Sequence, residues 1–252
     1  MIAPRLKRIT EAIYSEQWTE DPQFEPLNDG ELHVWLVKIE PALAERTRSF
    51  LSAKELERAA RFRFPEHRNE FIVSRGMLRT LLGRYTNISP SRLAFEYEHA
   101  GKPRVTNGPD NLFFNVSHSD GLALIAFSAA GDVGVDIERI DGSKVEPGML
   151  SHCFHPAEMR RFLSFPVSEQ RENYFFEVWT AKEAYLKLLG DGLAITPSAV
   201  ESVALRLRNE SGDTEPVYFS DVPTIKGYSA SIATRKPAVQ TRFYAPAASL
   251  FP

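Results

Sequence analysis

Residues 31–40, ELHVWLVKIE, carry apolar side chains on both parities of a two-residue period. His33, Trp35, Val37 and Ile39 fall on one face, and Leu32, Val34 and Leu36 on the other. A strand that is apolar on both sides belongs inside a protein, covered from each direction. Downstream, Ser52 followed three residues later by Glu55 has the capping-box pattern and predicts a helix over 52–64. Pro65 then opens a second helix, and Phe71, Met77, Leu78, Leu81 and Leu82 carry its apolar positions to about residue 86. LAFEYEH, LFFNVSHS and GLALIAFS follow as strands, separated by clusters of Gly, Pro, Asn and Asp.

From residue 131 the pattern starts again. GDVGVDIERI reads as a strand, 156–166 and 168–189 as helices, and VALRLRN, VYFSDV and YSASIAT as strands. NEFIVSRGMLRTLLG (69–83) echoes NYFFEVWTAKEAYLKLLG (173–190) in its paired aromatics and terminal LLG, with an offset that drifts from 104 to 107 residues. These patterns predict an α+β protein of two similar α/β half-domains related by a pseudo-two-fold axis, residues 1–130 and 131–252. A ligand site is expected at their junction.

Composition narrows the function. The 252 residues are 43% hydrophobic and 25% charged, as in a soluble globular protein. A net charge of -3 argues against bulk nucleic-acid binding, which needs a strongly basic surface. Residues 54–84 nevertheless hold eight Lys or Arg against four Glu, a patch suited to a small polyanion or an acidic protein. The single cysteine, Cys153, cannot form an internal disulfide. No stretch reaches the roughly 18 apolar residues of a membrane span, and the first residues have no apolar run resembling a leader. The expected location is the cytoplasm, with no membrane and no nucleic-acid partner.

Within that frame a few clusters carry chemistry. In DVGVDIERI, Val133, Val135 and Ile137 alternate with Gly134, Asp136 and Glu138. Two carboxylates one pleat apart repel, so either that face is open to water or a cation lies between them. Magnesium, which takes one or two carboxylates plus phosphate oxygens, fits the second alternative. SHCFHPAE places Cys153 beside His152, His155 and Glu158, but without a second Cys or Cys/His pair it does not make a structural zinc site. Glu158, after Pro156, is either a third ligand or a first-turn Glu favoured by the helix dipole.

FNVSHSDG sets Ser117 and His118 on opposite strand faces, which excludes a local nucleophile and base pair and suits a phosphate-holding turn or a simple cap. In GKPRV, Lys102 projects from a loop stiffened by Pro103. FEVWTAKEAYLKLLG brings Trp179, Lys182, Glu183 and Lys187 to neighbouring positions of one helix. As a solvated pair, Glu183 and Lys187 would contribute only about 0.3–0.5 kcal/mol.

Taken in order and spacing, GKP (101–103), FNVSHS (114–119), VGVDIE (133–138), FHPAE (154–158) and WTAKEAYLK (179–187) resemble the 4'-phosphopantetheinyl transferases. The resemblance spans about residues 50–195 and is to the monomeric two-half type that activates peptide synthetases. It implies transfer of the phosphopantetheine arm of coenzyme A to a serine of an apo acyl or peptidyl carrier protein, with Mg2+ or Mn2+. It also implies that Asp136, Glu138 and Glu158 hold the metal, and that Arg58, Arg75, Lys102, Pro103, Ser117 and His118 contact coenzyme A. Glu183 would be the base, with Lys182 and Lys187 on phosphate charge and Trp179 shaping the site; the basic stretch 54–84 would meet the acidic helix of the carrier. Position 55, near where some relatives carry a phosphate-binding Lys, is Glu55 here. The other readings of the same residues are a magnesium-dependent nuclease and a catalytically silent binding module.

Overall fold

The structure, a computed structural model, describes residues 15–20, 24–97, 101–190, 196–202, 217–220 and 222–246. Its centre is β1 (Glu31–Lys38). Trp35 and Val37 join an apolar cluster with Leu43 of α1 (Pro41–Thr47) and Ile72, Met77, Leu78 and Leu81 of α3 (Pro65–Thr86). Leu32, Val34 and Leu36 point the other way, into a second cluster with Val133, Val135 and Ile137 of β6 (Val133–Arg139) and Ile232 of β8 (Tyr228–Thr234). The doubly apolar strand is therefore covered on both sides, as its sequence requires.

The layers follow from those two cores. A four-stranded sheet runs β4-β5-β1-β9, from β4 (Phe113–Ser119), β5 (Leu122–Ser128) and β9 (Gln240–Tyr244). A three-stranded sheet runs β6-β8-β7, with β7 at Tyr218–Ser220. The two sheets pack face to face through the second cluster, α1 and α3 cover the outer face of the first sheet, and α6 (Glu169–Leu189) covers the second. The order helix, sheet, sheet, helix gives each half one helical and one sheet layer. The two echoing segments fall in α3 and α6, the long helices of corresponding layers.

Local chemistry sets the boundaries. Ser52 and Glu55 form the expected capping box: Ser52 Oγ accepts from Glu55 N at 3.3 Å, and Ser52 N donates to Glu55 Oε2 at 2.7 Å. The helix they start, α2 (Ala53–Ala60), stops short of residue 64. The β4–β5 hairpin turns through Asp120 and Gly121, both at positive φ (41° and 91°), the requirement of a two-residue turn whose twist matches its strands. At Gly134 an added Cβ would stand 2.0 Å from the Ala184 carbonyl oxygen and 2.4 Å from Leu188 N. That missing side chain is what lets α6 lie against β6.

The expected strand LAFEYEH is short, β2 (Phe95–Tyr97), and pairs antiparallel with β3 (Pro103–Val105); β3, α1, α4 (Pro147–Cys153) and β9 lie beyond the sequence reading. α4 and α5 (Pro156–Ser164) pack on α6 through Phe154, Phe162, Phe175 and Val178. β9 crosses the boundary expected at residue 130, because it pairs in parallel with β1 and completes the first sheet from the chain's C-terminal part. The expected strand VALRLRN lies outside the described residues. Among the described residues no helix is long and apolar enough to cross a membrane.

Candidate active site

The second sheet exposes its chemistry where β6 meets β4. Val133, Val135 and Ile137 are fully buried between the sheets. Their alternation turns Asp136 and Glu138 to the other side, where both border an open cavity of about 300 Å³. Ser117, His118, Trp179, Glu183 and Lys187 border it as well. Three carboxylates, an ammonium and an imidazole thus meet where the two halves adjoin.

Lys187 supplies a cation on the Asp136 side of the carboxylate pair. Its Nζ donates to Asp136 Oδ1 at 2.7 Å and to Ser117 Oγ at 2.9 Å, and the Ser117 hydroxyl donates to the same Asp136 oxygen at 2.8 Å. Glu138 Oε2 accepts from Ser119 Oγ at 2.7 Å. Burial holds Glu138 above the ordinary carboxylate value, against the lowering effect of the Ser119 bond. Burial also raises Glu183, with the Asp136 charge adding to the rise and Lys187 opposing it.

Asp136 Oδ2 is buried without a hydrogen-bond partner. An unpartnered carboxylate oxygen beside two further carboxylates fits a hard divalent cation, which needs only one or two protein carboxylates when phosphate and water complete its shell. Among the described residues no group of three His, Cys, Asp or Glu is arranged to hold a metal by itself. A shell shared with a phosphate is consistent with that arrangement.

α6 presents Trp179, Glu183 and Lys187 to the cavity for reasons of packing. Ala184 and Leu188 sit over Gly134, and Thr180 Oγ1 lies 3.1 Å from the hydroxyls of both Ser229 and Ser231 on β8, so the helix is fixed against the sheet. Trp179 stacks on Phe175 at 6.1 Å between centroids and borders the cavity.

Glu158 and Lys182, expected to hold metal and phosphate charge, are not among the residues that border this cavity. Both are about 1% exposed and form a buried ion pair. The three donors of Lys182 go to Glu158, to Cys153 O at 2.7 Å and to Pro197 O at 3.0 Å. Glu158 accepts also from His155 N at 2.8 Å, Ser202 N at 2.6 Å and Ser202 Oγ at 2.7 Å. Neither has capacity left for a ligand. In WTAKEAYLK, Lys182 points inward while its neighbour Glu183 faces the cavity, a division that helical spacing alone did not separate. Cys153 is buried, and burial pushes its thiol up to about 12.

The other expected phosphate contacts stand outside the cavity. Lys102 donates to Asp132 Oδ1 at 3.1 Å and Leu188 O at 3.3 Å, tying the two halves, and Pro103 begins β3. Arg75 pairs with Glu55 at 3.0 Å and donates to Tyr97 Oη at 2.6 Å. Arg58 is exposed, its guanidinium 5.0 Å from the Phe71 ring centre. The reading of the sequence passed over Ser119, although its place two residues beyond Ser117 on the same strand face was a legible signal.

Comparison with known proteins accords with this geometry. The model of the 4'-phosphopantetheinyl transferase superfamily matches residues 132–232, and that of the 4'-phosphopantetheinyl transferase N-terminal region matches residues 40–130. The chain is 35% identical to 4'-phosphopantetheinyl transferase HetI of Nostoc sp. over 210 residues, 82% of this chain and 85% of the relative. It is 28% identical to 4'-phosphopantetheinyl transferase psf-1 of Bacillus pumilus over 86% of this chain and 89% of the relative. It is 26% identical to 4'-phosphopantetheinyl transferase Sfp of Bacillus subtilis over 77% of this chain and 86% of the relative. The two matched regions meet at the β5–β6 connection, and together with the extent of the first likeness they show that the chain belongs to the 4'-phosphopantetheinyl transferase family.

Proposed function

We propose that the protein moves the 4'-phosphopantetheine group of coenzyme A onto a serine hydroxyl of an apo acyl or peptidyl carrier protein and releases adenosine 3',5'-bisphosphate. The observation that carries this reading is the cavity itself: Asp136, Glu138, Glu183 and Lys187 of the second half and His118 of the first border one opening.

Asp136 and Glu138, with Glu183 at the margin, would hold a magnesium or manganese ion, which when bound neutralises charge on the pyrophosphate oxygens. The chain's own groups do the rest. Lys187 lies among oxygens and offers its ammonium to phosphate as charge builds on the leaving group. Glu183, close to that cation, accepts the serine proton as the oxygen attacks the phosphorus bearing the pantetheine arm. The new P–O bond forms while the bond to the bisphosphate breaks. Ser117 and His118 form the wall on the first half, and Trp179 limits the space.

On the outer surface Lys54, Arg58, Arg61 and Arg63 are exposed, whereas Arg75 and Arg79 are drawn inward by Glu55. Those four exposed cations suit the acidic helix of a carrier protein. The protein acts as a monomer in this reading, since both walls of the cavity come from one chain.

The test is the intact mass of an apo carrier protein after incubation with the protein, coenzyme A and magnesium, with an EDTA control. A gain of one phosphopantetheine group that EDTA prevents is the expected result. No gain with several acyl and peptidyl carriers would overturn the proposal.

A further inference from the structure

β4 and β6 belong to different sheets, yet three side chains of β4 reach β6 in regular succession. Asn115 Oδ1 accepts from Val135 N at 3.0 Å, Ser117 Oγ donates to Asp136 Oδ1 at 2.8 Å, and Ser119 Oγ donates to Glu138 Oε2 at 2.7 Å. The three donor and acceptor positions are spaced by the two-residue period of a strand, so one face of β4 stands in for the backbone ladder between the sheets. Ser119 closes this series and has a second bond. Its oxygen accepts from Arg139 N at 3.1 Å, which leaves its hydroxyl proton for the carboxylate of Glu138. Next to it, Tyr228 Oη donates to Asp120 O at 2.7 Å and ties the hairpin turn to the second sheet.

From this geometry we infer that Ser119 is a positioning residue for the reaction: it fixes one oxygen of Glu138 and thereby sets the carboxylate's presentation to the cavity. The inference rests on the proposed metal-holding role of Asp136 and Glu138. Ser119 itself need touch neither substrate nor ion. A carboxylate held through one oxygen by a hydroxyl that is itself anchored on backbone loses rotational freedom before any ligand arrives, which favours binding. The first half of the protein would in this way set the geometry of a carboxylate carried by the second.

The experiment is calorimetric titration of Mn2+ alone into the full chain and into Ser119→Ala, Ser119→Thr and Asp136→Ala, with a melting curve for each. Partners of metal-holding groups typically contribute 10–100-fold in affinity. Ser119→Ala should weaken Mn2+ binding by roughly tenfold, and Ser119→Thr, which keeps the hydroxyl, should stay within about threefold of the parent. In steady state, Ser119→Ala should raise the apparent KM for the metal and leave that for coenzyme A nearly unchanged. If Asp136→Ala loses Mn2+ while Ser119→Ala binds it like the parent, or if the Thr variant is as weak as the Ala variant, the role of Ser119 is overturned and the metal-site reading stands. If Asp136→Ala binds Mn2+ as the parent does, the metal-site reading falls, and this inference with it.

Discussion

Lys187 Nζ and Asp136 Oδ1 stand 2.7 Å apart, joining the last turns of α6 to the centre of β6. Asp136 is almost wholly buried, while the Lys187 side chain is 30% exposed, so the ammonium can reach both carboxylate and cavity. This contact bridges the helix that carries Glu183 and the strand that carries Asp136 and Glu138. Asp136→Ala should reduce transfer by on the order of a hundredfold or more. It should leave the melting temperature close to the parent's, because the change also relieves repulsion from Glu138 and Glu183. Transfer at parental rates in the carrier mass assay would sink the assignment.

The same cation sets a pH dependence. Glu183 lies above the ordinary carboxylate value because it is buried near Asp136, and Lys187 pulls it back down. Activity that needs the ionised form falls as pH drops through this raised value. Lys187→Met removes the opposing charge, so the acid limb of the kcat profile should move to higher pH as well as to lower rates. An acid limb that stays in place would show that another group titrates.

Glu158 and Lys182 make a different prediction, since their pair is sealed inside the second half. Removing one partner strands the other as a buried charge, at a cost of about 3–5 kcal/mol. Lys182→Met and Glu158→Gln should each lower the melting temperature by roughly 10 °C, at about 2–4 °C per kcal/mol for a chain of this size. The double variant should lose much less than the sum of the two. Loss of activity at unchanged stability would instead restore a direct role for Lys182 on phosphate.

Gly134→Ala tests how closely α6 must approach the sheet. The added methyl meets backbone atoms of Ala184 and Leu188, which cannot rotate away. Overpacking of this kind costs about 1–3 kcal/mol. Because α6 has to shift, transfer should fall further than the loss of stability explains, measured well below the variant's melting point. Parental kcat in a folded variant would show that the helix position tolerates displacement.

Acid sensitivity should have a source remote from the cavity. His33 is fully buried on β1 and lies 2.8 Å from Tyr85 Oη through Nδ1, with Glu31 Oε2 3.5 Å from Nε2 and Arg242 facing it from β9. Burial holds its pKa below the usual imidazole value, more than the nearby Glu31 raises it. On acidification the unfolded chain takes the proton first, so stability is complete above about pH 6.5 and is lost as pH falls from there toward the lower folded value. Between about pH 7.5 and pH 5.5 the parent should therefore lose more melting temperature than His33→Gln. Equal losses would assign the acid sensitivity elsewhere.

How far the sequence reached is clearest at particular residues. The two apolar parities of residues 31–39 required a strand covered on both faces, and the alternation in VGVDIE required Asp136 and Glu138 to share a side away from the valines. Ser52, Glu55 and Pro65 marked helix starts because capping depends on a few consecutive residues. These are short-range constraints of backbone geometry and solvent exclusion, and any fold of this chain must satisfy them.

Tertiary structure alone decided which neighbours the charged groups meet. Lys182 and Glu183 are adjacent in sequence, but α5, α4 and the turn at Pro197–Ala199 enclose the first with Glu158 and leave the second facing the cavity. Likewise β9 joins β1 from more than 200 residues away, and Ser119 meets Glu138 across two sheets. A charge pattern fixes only that a partner is needed; which partner it finds depends on the packing of distant layers, whose approach is set by groups as small as the missing side chain of Gly134.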